Sequence, residues 1–401
     1  MMTNYFRAAD ILLPKECAYD KWAVIACDQH TSEPEYWESV REYIGNVPST
    51  LEMFFPEADL NDVSAELFES CSSKMRAYLE RDFFCVFPNS YIYVERTLSN
   101  GAIRHGIVGM IDLEHYDYAP KSNTKIFATE ATVLQRVPPR IALRKIADLE
   151  FSHTVMFCDD KACALIEPVS KFREQLQNLY DFDLMTNGGH IRGYLLDGER
   201  AAEFERAISA YEAENSYLVG DGNHALVTAK LAYEALKESN PQMDWETHPA
   251  RYAMVELENI HSDAMIFEPI YRIATSNDPN VMVEALCNLD AEDGVPVTWI
   301  CGEREGIARL KIAEGELPIE ALQRFLDRWI ETDNGTIDYI HGADTVRKLA
   351  QEPGTIGFLL PDLDKSILFP YVLSGKVMPK KTFSIGHAEE KRYYLEGRRI
   401  R

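Results

Sequence analysis

The sequence has no apolar run able to span a bilayer. Its longest, such as Trp22–Cys27 and Phe83–Phe87, fall far short of the roughly 20 residues a membrane helix needs. It also lacks any excess of positive charge: Lys and Arg number 41 against 65 Asp and Glu, a formal charge of −24. Phosphate backbones and anionic lipid surfaces repel such a chain, which excludes nucleic acid and membranes as general partners. None of the eight cysteines form a C-x-x-C pair. The one close pair, Cys158 and Cys163, has no neighbouring Cys or His at zinc spacing, so the thiols read as reduced and mostly small core residues. No internal repeat and no low-complexity tract is present, which removes solenoids and propellers. The opening MMTNYFRAAD lacks the basic stretch and apolar segment of a secretory signal, and a cytoplasmic location is expected.

What is present is a chain of 401 residues, 46% apolar and 26% charged, which is an ordinary globular balance. Strand-like and helix-like stretches alternate. Trp22–Cys27, Tyr91–Leu98, Ile107–Leu113, Val155–Phe157, Ile191–Leu196 and Tyr217–Val219 read as strands, and Asn100-Gly101 between two of them is a hairpin signal. Apolar spacing predicts helices over Tyr36–Ile44, Ser64–Glu80, Ile141–Leu149, Ser170–Leu179, Glu199–Tyr211, Leu226–Glu238, Ile319–Glu331 and Ala343–Gln351. The expected fold class is α/β to α+β, with mixed sheets and crossover helices. Pro138-Pro139 and the NDPN stretch suggest three regions, 1–135, 136–275 and 276–401.

The sharpest local signal is YLVGDGNHALVTAKLAYEAL, in which an apolar strand runs through Gly220-Asp221-Gly222-Asn223-His224 into a helix. Glycine permits backbone turns and close approach that other residues forbid. Asp221 or Asn223 can cap the helix, and its first N–H groups suit an anion. An ordinary capped helix start is an equally good reading of the same residues. The turn is neither a Walker A loop nor a dinucleotide G-x-G-x-x-G. A second glycine turn, NGGHIRG, presents His190, and the polar cluster after Trp22–Cys27 presents Asp28, His30 and Glu33 at a strand end, where ligands commonly sit. Asp28 and Asp221 are the candidate metal ligands.

Charge placement adds a further candidate. Residues 375–401 hold eight Lys and Arg against three Glu, in an otherwise acidic chain. Such an island either neutralises an acidic face or binds phosphate. Within it, Lys380, Lys381 and Thr382 supply cations and a hydroxyl, and upstream Arg140 and Arg144 share a helix face. Arg251, ahead of an expected strand, is expected to pair with Glu256 or Glu268.

TEATVLQRVPPRIALRK, NGGHIRGY, VGDGNHALVTAK, ARYAMVELENI, FEPIYR and MPKKTFSIGHAEEKRYYLEGRRI, in that order, resemble the bacterial family known as domain of unknown function 1015, over nearly the whole chain. Where many family members carry D-G-H-H-R, this chain reads Asp221-Gly222-Asn223-His224-Ala225. That turn resembles, more distantly, the D-G-H-x-R turn of the ParB/sulfiredoxin-like superfamily, whose members include a free-serine kinase. The resemblance implies a ParB/sulfiredoxin-like core and phosphate lying against the turn.

Three functions are compatible with these features. The first is phosphotransfer, as kinase or phosphatase, on a small anionic metabolite such as free serine or phosphoserine, with Mg²⁺ and a nucleotide or other phosphate donor. Asp221 would act as base or metal ligand, His224 as phosphate contact and Asn223 as orienting donor. Gly220, Gly222, Lys380, Lys381, Thr382, Arg140 and Arg144 would hold phosphate, and His190, His30 and Glu33 would complete the cleft. The second is a metal-dependent hydrolase built on His30, His190, Asp221 and His224. The third is a non-catalytic sensor of an anionic metabolite.

Overall fold

The computed structural model describes residues 4–31, 33–130, 137–151, 153–379 and 381–401, with backbone alone at 60–62. The chain forms two compact units, Met1–Met265 with His387–Arg401, and Ile266–Gly386. The expected boundary at 135/136 therefore falls inside the first unit. Strands from both sides of it are hydrogen-bonded neighbours: Ile103–Asp112 runs antiparallel to Tyr252–Asn259. Pro138 and Pro139 open the helix Pro138–Arg144 rather than a linker. The NDPN stretch likewise starts a helix, Pro279–Cys287, through the Asp278 carboxylate, which accepts from Asn280 and Val281 N–H.

The first unit is built on a mixed sheet of thirteen strands among the described residues. Tyr252–Asn259 lies antiparallel to Ile103–Asp112 and parallel to Val155–Cys158, which in turn lies antiparallel to Tyr217–Asp221. Alternation along the long strand Phe84–Thr97 supplies both faces, because successive strand side chains point opposite ways. Ile92 and Val94 pack with Trp22, Trp37 and Met75, while Tyr91 and Tyr93 pack with Phe204, Ile208 and Leu226. Helices Pro34–Ile44 and Ala65–Glu80 cover one face, and Gly198–Glu214 and Asn223–Ser239 the other. The last residues return to this unit, where Tyr393–Tyr394 pairs with Val24–Ile25 and Gly397–Arg399 with Leu149–Phe151.

The second unit is an antiparallel sheet in the order Arg304–Leu310, Asp290–Cys301, Thr355–Leu359, Phe267–Thr275, Ile337–His341, with Phe383–Ile385 beside the start of Phe267–Thr275. Helices Pro279–Cys287 and Pro318–Asp333 bury Met282, Leu286, Leu322 and Leu326 against Val297 and Phe358. All eight cysteines are free thiols. Among the described residues, no helix is long and apolar enough to cross a membrane.

Candidate functional site

The strand Tyr217–Asp221 enters the turn with Tyr217, Leu218 and Val219 fully buried. A Cβ at Gly220 would stand 2.4 Å from the Phe157 ring, so the turn lies directly on the neighbouring strand. Gly222 has φ +76°, and a Cβ there would meet the Thr154 Cα at 2.9 Å. Gly222 is itself the residue ahead of helix Asn223–Ser239, which has no side-chain cap. The expectation that Asp221 or Asn223 caps this helix is therefore corrected. The Asp221 carboxylate accepts the Gly222 N–H at 2.9 Å and lies 3.7 Å from the Lys391 ammonium. Asn223 turns inward, accepting from the Thr129 N–H at 3.3 Å and donating to the Thr129 hydroxyl at 3.2 Å. His224 occupies the first helical turn, half-buried, and its carbonyl accepts the Thr228 hydroxyl at 2.7 Å.

Beside this turn the first unit has a half-open cavity of about 140 Å³. Asp28 reaches it from the segment after Val24–Ile25, Arg140 and Arg144 from Pro138–Arg144, and His153 and Thr154 from the segment ahead of Val155–Cys158. Ala225, Leu226, Thr228 and Ala229 form the wall given by helix Asn223–Ser239. The i,i+4 spacing of Arg140 and Arg144 does put both on one face, toward the cavity.

The charges here are arranged in pairs. His153 Nε2 lies 3.4 Å from Asp28 Oδ2. Burial pushes the Asp28 carboxyl up, but the His153 charge 3.4 Å away, with Arg140, holds it well below the usual carboxylate range. Burial pulls His153 down, but Asp28, with Asp221 beyond it, raises it above its ordinary value. Arg140 pairs with Glu57 at 3.0 Å, and the Glu57 N–H ties its loop to the Cys27 carbonyl at 2.7 Å. Glu150 takes Arg144 at 2.6 Å, Arg398 at 2.7 Å and the Met254 N–H at 2.8 Å. Burial works against the Glu150 carboxylate, and the two guanidiniums overcome it and keep it ionised. From Lys391 through Asp221, His153, Asp28 and Arg140 to Glu57, charge alternates in sign. The Cys27 thiol is pushed far up by burial and is no nucleophile.

Two of the sequence-predicted regions line this cavity, Asp28 and the Arg140/Arg144 pair; the Gly220–His224 turn does not line it and adjoins it through Gly222, which packs on Thr154. Others do not line the cavity. His190 lies on the hairpin of Asn178–Asp183 and His190–Leu196, its ring nitrogens 2.6 Å from Asp181 and from Asp183. His30, at φ +51°, pairs with Glu33 at 3.1 Å and stacks on Tyr36 with centroids 3.7 Å apart. Lys381 and Thr382 belong to the second unit, where the Thr382 hydroxyl donates to the Pro379 carbonyl at 2.7 Å and the Lys381 carbonyl accepts from Arg272. Lys380 lies outside the described residues.

The four-residue metal set is not assembled: among the described residues, no three His, Cys, Asp or Glu gather as metal ligands. His190 and His30 are each held by carboxylates of their own segments. The charges of Asp28 and Asp221 both raise the His153 ring above its ordinary value. Two of the five cations of the C-terminal island that fall in this unit, Arg392 and Arg398, neutralise buried acids. Arg392 pairs with Glu256 at 2.7 Å and with Glu396, and Arg398 pairs with Glu150.

Sequence reasoning missed His153, Glu57, Glu150 and Tyr394. Glu150 carries a signal, being an acid inside the apolar triplet Leu149–Phe151, where an unpaired carboxylate is too costly to bury. His153 stands between two short apolar strands with only polar neighbours, and nothing local marks Asp28 as its partner. Tyr394, whose hydroxyl accepts the Cys27 N–H at 3.3 Å, is brought in by the returning tail.

The family model described as "Protein of unknown function (DUF1015)" matches residues 9–362, and the chain belongs to that family. No curated protein matches it. Among solved structures, a free serine kinase in complex with AMP is 12% identical, covering 73% of this chain and 91% of that chain, at a TM-score of 0.39. A conserved hypothetical protein from Pyrococcus furiosus is 12% identical, covering 71% of this chain and 90% of that chain, at a TM-score of 0.34. SbnI with C-terminal truncation from Staphylococcus aureus is 11% identical, covering 70% of this chain and 82% of that chain, at a TM-score of 0.37.

Proposed function

We propose that this family member is a phosphotransfer enzyme acting on a small hydroxy or amino acid bound in the cavity of the first unit. One observation carries the reading. Asp28, His153 and Arg140, distant in sequence, meet in one cavity against the glycine turn that starts helix Asn223–Ser239. Phosphoryl transfer asks the protein for positioning and charge stabilisation more than for covalent chemistry. In the forward direction the acceptor hydroxyl oxygen attacks the terminal phosphorus of a nucleotide or other phosphate donor. The new O–P bond forms as the bond to the leaving oxygen breaks, and the hydroxyl proton passes to the Asp28 carboxylate. His153 is a positioning residue that orients Asp28 and keeps it ionised. Arg144 holds the acceptor's carboxylate, and Lys391 and the first N–H groups of the helix face the transferred group. Mg²⁺ enters with the donor in this reading.

A sensor reading has one observation in its favour: each carboxylate lining the cavity already has a cation within the protein, as Asp28 with His153, Glu57 with Arg140 and Glu150 with Arg144. The test is to incubate the full chain with nucleoside triphosphates or pyrophosphate, Mg²⁺ and a panel of hydroxy and amino acids, following products by phosphorus NMR. Formation of a phosphorylated acceptor supports phosphotransfer. Ligand-induced stabilisation with no product across the panel overturns it in favour of a sensor.

A further inference from the structure

The cavity's polar groups occupy only part of its wall, and the rest is hydrocarbon. Phe54, Leu143, Phe151, Leu226, Met254 and the Tyr394 ring line it, and all of these except Phe54 are buried. At about 140 Å³ it has the capacity of a cavity that takes a benzene-sized body. A hydroxymethyl group placed against such walls leaves its hydrogen bonds unmade, whereas a branched alkyl or ring body loses nothing but water.

The charge count around the wall is equally specific. Asp28 is matched by His153, and Glu57 by Arg140. Glu150 on the wall is shared by Arg144, also on the wall, and by Arg398 behind it, so Arg144 is left with charge to offer a ligand. One guanidinium so placed suits one carboxylate and does not match the multiple charges of a phosphorylated metabolite.

Resting on the proposal that this cavity is the acceptor site, we infer that its ligand is an amphipathic monocarboxylic acid. The ligand carries a branched aliphatic or aromatic body, and serine and phosphoserine are excluded. The hydroxyl or amino group that reacts lies toward Asp28, and the carboxylate toward Arg144.

The test uses calorimetric titration of the full chain with 2-hydroxyisocaproate, leucine, isocaproate, isoamyl alcohol, glycerate, serine and phosphoserine. The expected result is binding of 2-hydroxyisocaproate and leucine at least about tenfold tighter than glycerate and serine, the discrimination a few methylenes give in an apolar pocket. Arg144→Met should weaken isocaproate and leave isoamyl alcohol unchanged, since Glu150 keeps Arg398. Ala225→Leu, which fills the cavity from a half-buried position, should weaken both without lowering the unliganded Tm. The inference is overturned if serine, glycerate or phosphoserine bind as tightly as the apolar acids, if Ala225→Leu leaves isocaproate affinity unchanged, or if nothing in the panel binds. The two readings fail separately. Phosphorylation of tightly bound glycerate or serine would keep the phosphotransfer reading and sink this one. Tight binding of hydroxyisocaproate that no donor phosphorylates would do the reverse.

Discussion

The imidazole of His153 and the carboxylate of Asp28 stand 3.4 Å apart at the edge of a largely apolar cavity, each moving the other's protonation toward the charged form. Burying either alone would cost several kcal/mol. Their pairing is what lets a carboxylate remain ionised beside Phe54, Phe151 and Tyr394.

Stability should show the pair through pH. Asp28 is depressed, so its contribution is present above the ordinary carboxylate value near pH ~4 and lost as pH falls through its lower folded value. His153 is raised, so its contribution is full below about pH 6.5 and lost as pH rises through its higher folded value. The stability gap between wild type and His153→Gln, measured by urea unfolding, should be greatest between about pH 4 and 6.5, on the order of 3 kcal/mol. It should shrink in alkaline buffer. A gap that widens above about pH 6.5 contradicts the assignment.

Gly222→Ala should destabilise the protein by about 1–3 kcal/mol. The residue combines φ +76° with a Cβ position 2.9 Å from the Thr154 backbone, so neither rotation nor side-chain give relieves it. Denaturant midpoints decide the matter, and an unchanged midpoint refutes it.

Glu150→Leu removes the shared partner of Arg144 and Arg398 and should cost roughly 3–5 kcal/mol. Arg144→Met should cost clearly less, because Glu150 retains Arg398 at 2.7 Å and the Met254 N–H. Equal losses in thermal unfolding would mean that Arg398 does not share the carboxylate.

His190→Ala should change stability by less than about 1 kcal/mol, since its contacts to Asp181 and Asp183 are largely exposed. Ligand affinity at the cavity should stay constant in the same variant. A collapse of affinity would bring His190 back into the site.

How far the sequence foretold this arrangement depends on how local each cause is. Helix Asn223–Ser239 was legible because Leu226, Ala229 and Tyr233 form one buried stripe, and the Asn100-Gly101 turn because hairpin chemistry is confined to two residues. The helix expected over Ser170–Leu179 is instead a single turn at Glu167–Ser170, a 3-10 turn at Arg173–Gln175 and the start of strand Asn178–Asp183. Pairing with His190–Leu196 overrides the helical spacing of its leucines. Trp22–Cys27 divides between helix Tyr19–Trp22 and strand Val24–Ile25, whose partner Tyr393–Tyr394 is near the end of the chain. The helix expected over Ile141–Leu149 runs Pro138–Arg144, and Leu149 opens a strand because Gly397–Arg399 pairs with it. Arg251 meets Asp112, at 2.6 Å, instead of Glu256 or Glu268, since the antiparallel register sets Tyr252 opposite Asp112. Residue types at the site could be read, as Asp28, Arg140 and Arg144 show. Partners could not, because only strand order brings His153 to Asp28.

If Asp28 takes the proton in a phosphoryl transfer, kcat/KM of Asp28→Asn beside Asp221→Asn, measured with the best acceptor found, shows it. Loss of a positioned base should cost Asp28→Asn about 10²–10⁴-fold, with circular dichroism unchanged and Asp221→Asn far less impaired. Turnover in Asp28→Asn equal to wild type would contradict the account.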